Sequence, residues 1–333
     1  MSKISTLIVS YNEREFIERA IKSVVEQYVE NNIDIEIIIG DDGSDDGSVE
    51  KIEILEDNIN NLYKGKGIVV HHFVMQRPIS TADIIPSIRV SAIIKKGLQL
   101  ATGEYIACLS ADDAFCDDTK FSTAVHFLNE HPDFCAYISG FRKVGLYEET
   151  RVLTTESPTL YWSGCYHHLS CFVFRRMDPA LLLNRFCDDV GLEFTLAKMG
   201  RWKADPAISF EYLQRSESIM HSSRKTELLL LEAMIYQDVL NDNCGFNLRC
   251  AAGARVYKKI KALFKERNNL GEKAFSKYFT NSALYDNNVI WEIKNYTTQG
   301  VLKKLEFKLK IFCLAVDYYI FKIMRIIDRG IKK

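Results

Sequence analysis

Gly103-Glu104-Tyr105-Ile106-Ala107-Cys108-Leu109-Ser110-Ala111-Asp112-Asp113 is the stretch that decides the fold. Tyr105 to Leu109 is a short apolar run holding an aromatic residue, bounded by Gly103 on one side and carboxylates on the other. That pattern reads as a strand covered on both faces in an α/β sheet. Asp112 and Asp113 follow at its carboxyl end, where open α/β sheets hold their ligands. Adjacent carboxylates repel, and a hard cation such as Mg2+ or Mn2+ offsets that cost while bridging to phosphate oxygens. The structural alternative is a helix cap, because Asp favours N-cap positions and Asp117, Asp118 and Thr119 lie close by. Alone, the pair supports both readings equally.

Upstream, Ile4 to Val9 reads as an apolar strand ending in Ser10-Tyr11-Asn12. From Glu13 to the neighbourhood of Val29, Phe16, Ile17, Ala20, Ile21, Val24 and Val25 recur at helical spacing. Ile33 to Ile39 is a second strand, followed by Gly40-Asp41-Asp42-Gly43-Ser44-Asp45-Asp46-Gly47-Ser48. Strand, helix and strand in this order begin a parallel, doubly wound sheet with right-handed crossovers. The acidic loop is either a solvated turn, since Asp, Gly and Ser are turn formers, or a nucleotide-base pocket. In the second case a carboxylate accepts a uracil N–H and Tyr11 supplies an aromatic face. Val69 to Val74 is a third strand. Pro86 opens a helical run through Arg89, Ile93, Ile94, Gly97, Leu98 and Ala101, and Gly103 is expected to end it as a C′ glycine.

The length of 333 residues suffices for a large core with an appendage. An apolar content of 47% with 26% charged residues is that of a soluble globular protein, and a net charge of -1 gives no bias toward nucleic acid. Nine cysteines without a CxxC pair point to reduced thiols in a cytosolic protein rather than a zinc site. No apolar run approaches the roughly 20 residues of a membrane span. Residues 1 to 12 enter directly on a strand, with no signal peptide in view.

Ser-Tyr-Asn after the first strand, Asp-Asp-Gly-Ser after the second and Gly-Glu-Tyr-Ile running into Asp-Asp form an ordered set. In order and spacing it resembles glycosyltransferase family 2, enzymes of the GT-A fold. The resemblance implies a Rossmann-like α/β, nucleotide-diphospho-sugar transferase domain and a nucleotide-sugar donor, with UDP as its nucleotide. It assigns Ser10 and Tyr11 to the nucleotide, Asp42 to the base N–H, Arg89 to phosphate, Asp112 to the ribose or sugar, and Asp113 to Mn2+ or Mg2+. Ser110 departs from the family's Asp-x-Asp-Asp pattern, and Lys95-Lys96 stands where many members carry Arg-Asn.

Downstream, Phe121, Val125, Phe127 and Leu128 mark a helix, Phe134 to Ile138 a strand, and Leu169 to Phe174 another. His167 and His168 either line an acceptor site or are ordinary core or surface histidines, the reading preferred here. Arg185 to Glu193 contains Asp188-Asp189 where family members carry an acidic pair whose Asp is the general base. Asp189 matches that Asp. Its structural alternative is the N-cap of a helix continuing to Met199. Transfer to a hydroxyl needs a proton acceptor, and with the upstream motifs Asp189 is assigned as the base. Tyr212 to Ile219 partly resembles the family's closing motif, with Leu213 and Arg215 in place of its Arg and His. Arg215, His221 and Arg224 are candidate diphosphate contacts.

The domain expected from these motifs spans residues 1–222. A helical appendage follows at 223–299, with Leu228 to Leu231, Met234, Val256, Ile260 and Leu263 on its pattern. At 300–333 lies a basic amphipathic helix. There Leu305, Leu309, Phe312, Val316, Tyr319, Ile320, Ile323 and Ile327 share one stripe, and basic residues exceed acidic ones nine to three over 301–333. Such a helix suits an anionic membrane surface, its own domain or a second subunit. The function expected is an inverting, metal-dependent glycosyltransferase acting on a hydroxyl of a saccharide or lipid-linked acceptor in bacterial surface polysaccharide synthesis. It is placed in the cytoplasm, at the inner face of the membrane. Two alternatives are a sugar-1-phosphate nucleotidyltransferase and a non-catalytic nucleotide-sugar-binding protein. The first usually has a glycine-rich basic loop, which Ser10-Tyr11-Asn12-Glu13 does not offer; the second is consistent with Ser110 and the altered closing motif.

Overall fold

The computed structural model describes residues 2–27, 33–77, 86–146, 148–153, 167–183, 188–215, 225–242, 245–270 and 310–324. The chain forms two compact units, the first mainly Met1–Ser157, Tyr166–Leu182 and Phe186–His221, the second mainly Ser222–Lys333.

The first unit begins β1 Ser2–Ser10, α1 Ile17–Val25, β2 Ile33–Asp41, α2 Ser48–Leu62, β3 Ile68–Val74, α3 Pro86–Leu100 and β4 Tyr105–Ser110. It continues β5 Ala114–Phe115, α4 Lys120–Glu130, β6 Phe134–Gly145, β7 Glu149–Arg151, β8 Phe172–Arg175, α5 Asp188–Met199 and β9 Arg201–Gln214. Among the described residues these strands form one sheet in the order β3-β2-β1-β4-β8-β6-β9-β5, with β7 on β6. β1 runs parallel to β2 on one side and to β4 on the other, with Ser10 opposite Asp41 and Val9 opposite Ser110. The winding reverses between β1 and β4, the switch point outside whose carboxyl ends open α/β sheets bind ligands. Ile4, Leu7, Ile8, Ile35, Ile37, Ile39 and Ile106 are buried along these strands, and Ile17, Ala20, Ile21 and Val24 of α1 lie buried in the same core.

Three sequence expectations change. Leu169–Cys171 is a 3-10 turn and the strand starts only at Phe172, because the Leu169 N–H is taken by a side chain, that of Asp189. β9 is a strand of 14 residues, parallel to β6, through a segment whose periodicity gave no strand. Gly103 does not take up a left-handed conformation. A Cβ there would lie 2.7 Å from Lys3 O, Ser5 N and Ser5 Oγ, so glycine is needed for the close approach of this turn to β1. Gly103→Ala should therefore lower unfolding free energy by about 2 kcal/mol or more, through overpacking against backbone that cannot yield. Urea unfolding checks it; an unchanged midpoint would show that the turn can shift.

Glu36 fastens the opposite end of the sheet. Buried, it accepts hydrogen bonds from Ser5 Oγ, Thr102 N and Oγ1, and Lys3 Nζ. Burial pushes its carboxyl up, but those donors outweigh it and hold it below the usual range.

In the second unit, α6 Lys225–Asn241 and α7 Phe246–Leu270 pack together. Leu230, Leu231, Ala233, Met234, Ile235 and Val239 are buried on the first, and Leu248, Ala251, Ala252, Val256, Ile260 and Leu263 on the second. Residues 310–324 are helical; 301–309 and 325–333 of the expected terminal helix lie outside the described residues.

Candidate active site

The loops after β1 and β2 are bound to each other. Asn12 adopts a left-handed conformation, φ 55°, and donates from its backbone N–H to Ser44 Oγ at 2.8 Å. Its side-chain amide exchanges hydrogen bonds with Asp45 Oδ1 and N at 2.9 and 3.0 Å. Asp41 takes the N–H and hydroxyl of Ser44, and Asp46 those of Ser48. Three of the loop's four carboxylates are thus engaged within the two loops.

Asp42 is the fourth, and it faces two arginines. Arg77 Nη2 lies 2.6 Å from its Oδ2, and Arg89 Nε 2.7 Å from its Oδ1, with the carboxylate only 3% exposed. The Arg77 guanidinium also stacks 3.4 Å from the centre of the half-exposed Tyr11 ring. Arg89, read from sequence as a phosphate contact, sits on the carboxylate read as the base acceptor. Arg77 was missed; its only signal is a basic residue close after the carboxyl end of β3. Among the described residues, Ser10 Oγ is buried without a hydrogen-bond partner.

Beyond β4, Asp113 is fully buried. Its Oδ1 accepts the Leu213 N–H of β9 at 3.0 Å, while Oδ2 has no hydrogen-bond partner among the described residues and lies 3.9 Å from His168 Nε2. Burial, then the neighbouring Asp112 charge, pushes the Asp113 carboxyl well above the ordinary range. Asp112 Oδ2 accepts from Arg215 Nη2 at 2.8 Å, and the same nitrogen donates to Glu13 Oε1 at 2.5 Å. Burial raises Glu13 to about 7, with Arg215 opposing and Asp112 reinforcing the shift. Sequence reading had also missed Glu13, because nothing local pairs it with residue 215.

Asp189 stands in the first turn of α5, 7% exposed, and its Oδ1 accepts the Leu169 N–H at 2.5 Å. One turn further, Glu193 pairs with His167 Nδ1 at 2.8 Å, both side chains buried. These two carboxylates, four residues apart on one helix face, clip down residues 167 and 169. His168, between them, points to Asp113, its ring 4.7 Å from that of Tyr212 and 5.3 Å from that of Phe210. The negative charge of Asp189 contributes to the rise of Asp113 and also of Tyr212, which burial, first, pushes up to about 12. Asp189 and Asp113 therefore share one electrostatic environment. The side chain of Asp188 and residues His221 and Arg224 lie outside the described residues.

Residues 5–73 match the sequence model of Glycosyl transferase family 2. An uncharacterized glycosyltransferase of Mycoplasma genitalium is 34% identical over 122 residues, 35% of this chain and 34% of that protein. Over its first strands and loops the chain is similar to glycosyltransferase family 2. Another relative, the abequosyltransferase RfbV of Salmonella typhimurium, is 29% identical over 207 residues, 60% of this chain and 54% of its own length. The chain thus spans between a third and about half of the length of these relatives. Among solved structures, S. aureus TarS 1-349 in complex with UDP-GlcNAc superposes with a TM-score of 0.55 at 14% identity, over 80% of this chain and 74% of that one. The mannosyltransferase PcManGT of Pyrobaculum calidifontis, in complex with GDP-Man and Mn2+, gives 0.50 at 14% identity over 95% and 86%. The shared feature is the GT-A fold.

The similarity to family 2 implies a divalent cation, and the site is compatible with one. The orphaned Asp113 Oδ2 is a hard oxygen ligand in a region crowded with negative charge. Among the described residues no group of three or more His, Cys, Asp or Glu could hold a metal, so phosphate oxygens and water would have to complete the shell. His168 is a poor further ligand. Its Nδ1 accepts the Ser170 N–H at 3.3 Å, which in the neutral ring leaves the proton on Nε2, the atom nearest Asp113.

Proposed function

We propose that this chain transfers a sugar from a nucleoside-diphosphate donor to an acceptor hydroxyl, with inversion at the anomeric carbon. The observation that carries this reading is the gathering of Tyr11, Asp42, Asp112 and Asp113 at the carboxyl ends of adjacent parallel strands, with Asp189 in the electrostatic field of Asp113. In this reading Tyr11 stacks on the base, Asp42 accepts its N–H while Arg77 and Arg89 orient the carboxylate, and Asp112 meets the ribose or sugar. Asp113 would hold Mn2+ or Mg2+, which when bound supplies positive charge to the diphosphate. Arg215 adds a second cation beside the leaving group.

Asp189 takes the proton of the acceptor hydroxyl. That oxygen forms a bond to the anomeric carbon as the bond to the diphosphate breaks, and the nucleoside diphosphate departs from the opposite face. A saccharide or lipid-linked saccharide is the acceptor class we favour, and the similarity to an abequosyltransferase supports sugar transfer itself. Incubation with a panel of UDP- and GDP-sugars, with and without Mn2+, tests the reading. Release of nucleoside diphosphate is expected; pyrophosphate exchange would instead indicate nucleotidyl transfer, and binding without turnover a non-catalytic protein.

Glu13 makes nucleotide binding depend on pH. As pH rises from 6 to 8 it ionises, adds negative charge beside Asp112 and holds Arg215 more firmly. Affinity for the nucleoside diphosphate should fall by up to about tenfold across that range. In Glu13→Gln the profile should flatten, as calorimetric titration at several pH values would show.

A further inference from the structure

The helix at residues 310–324 uses one of its faces for packing. Leu314 and Phe321 are buried, and the Tyr318 ring lies 5.5 Å from that of Tyr257 on α7. A Cβ on Gly253 of α7 would meet the Asp317 carboxylate at 2.6 Å, so glycine lets the two helices approach there. At 100° per residue these four positions share one side of the helix. Half a turn away stand Phe312, Val316, Tyr319 and Ile323, spaced four, three and four apart. They are 65%, 41%, 59% and 57% exposed. Scattered exposed apolar side chains are ordinary, but a continuous stripe of four large ones marks a contact surface.

We propose that this stripe docks the chain on an anionic lipid surface, a property beyond the transfer reaction. Charge favours that occupant. Residues 301–333 carry nine basic residues against three acidic ones. The one acid within 310–324, Asp317, is turned toward α7, while Lys322 is exposed beside the stripe. No described helix is long and apolar enough to cross a membrane, which leaves a helix lying in the interface plane. A second copy is a poorer occupant. The four side chains expose on the order of 400 Å2, against roughly 800 Å2 per partner in a stable interface. A lipid surface needs no matching shape and adds electrostatic attraction for each basic residue near it.

Flotation of the full chain with vesicles tests this, using phosphatidylcholine alone or mixed with phosphatidylglycerol. Binding is expected to the anionic vesicles only and to weaken with salt. It should drop at least about tenfold in the double variant Phe312→Ser with Ile323→Ser, whose exposed positions leave the fold intact by circular dichroism. Absence of binding, equal binding to neutral vesicles, or unchanged binding by the double variant would overturn the proposal. So would a concentration-dependent dimer, seen by sedimentation, that the double variant dissolves.

Discussion

Asp189→Asn should slow sugar transfer by about a thousandfold while leaving nucleoside diphosphate affinity within about threefold of the parent. Asparagine keeps the shape and the Oδ1 acceptor, so the bond from the Leu169 N–H survives. The second clip, Glu193 on His167, is untouched, and the segment carrying His168 stays in place. What disappears is a group able to receive the hydroxyl proton as the new bond forms. Single-turnover product formation and calorimetric titration with the nucleotide separate the two effects. Equal losses in both would return Asp189 to the structural role that its position in the first turn of α5 also permits.

The strands that build the crevice were legible because a fully buried parallel strand is a nearly continuous apolar run, and β1, β2 and β4 each end abruptly in polar residues. The acidic loop was legible as a loop but not in detail. Composition cannot say that Asp41, Asp45 and Asp46 are engaged by Ser44, Asn12 and Ser48, which is what leaves Asp42 to Arg77 and Arg89. Arg77 and Glu13 escaped for a related reason: each matters through a partner far away in sequence. β9 was hidden because Pro206 interrupts its alternation, and its pairing with β6 shifts register near Gly140. Gly103 was noticed for the wrong reason, since a helix-ending glycine and one pressed against a neighbouring strand look alike in sequence. In the terminal helix, periodicity found the apolar stripe and could not tell which side would be covered. Leu314 and Phe321, outside that stripe, do the packing.

Asp113→Asn should make the protein more stable in metal-free buffer and nearly inactive. The native carboxyl is fully buried, near the charges of Asp112 and Asp189, with one oxygen unpartnered. Burying a carboxylate without a compensating cation is costly, and burial pushes this one toward its neutral form. Asparagine keeps the acceptor for the Leu213 N–H and replaces the orphaned oxygen with an N–H2 that the surrounding acids favour. A gain of about 1–3 kcal/mol follows, together with a loss of transfer of about a hundredfold or more. Adding Mn2+ with nucleoside diphosphate should reverse the order of stability, because only the native carboxylate gains a partner whose binding raises its melting temperature. Scanning calorimetry with and without both additions reads this directly. A variant that melts below the native protein in metal-free buffer would make Asp113 a structural anchor for β9. One still stabilised by Mn2+ would place the cation elsewhere. The expected pattern, stability surrendered at one buried carboxylate and recovered on ligand binding, is what distinguishes a group kept for its ligand from one kept for the fold.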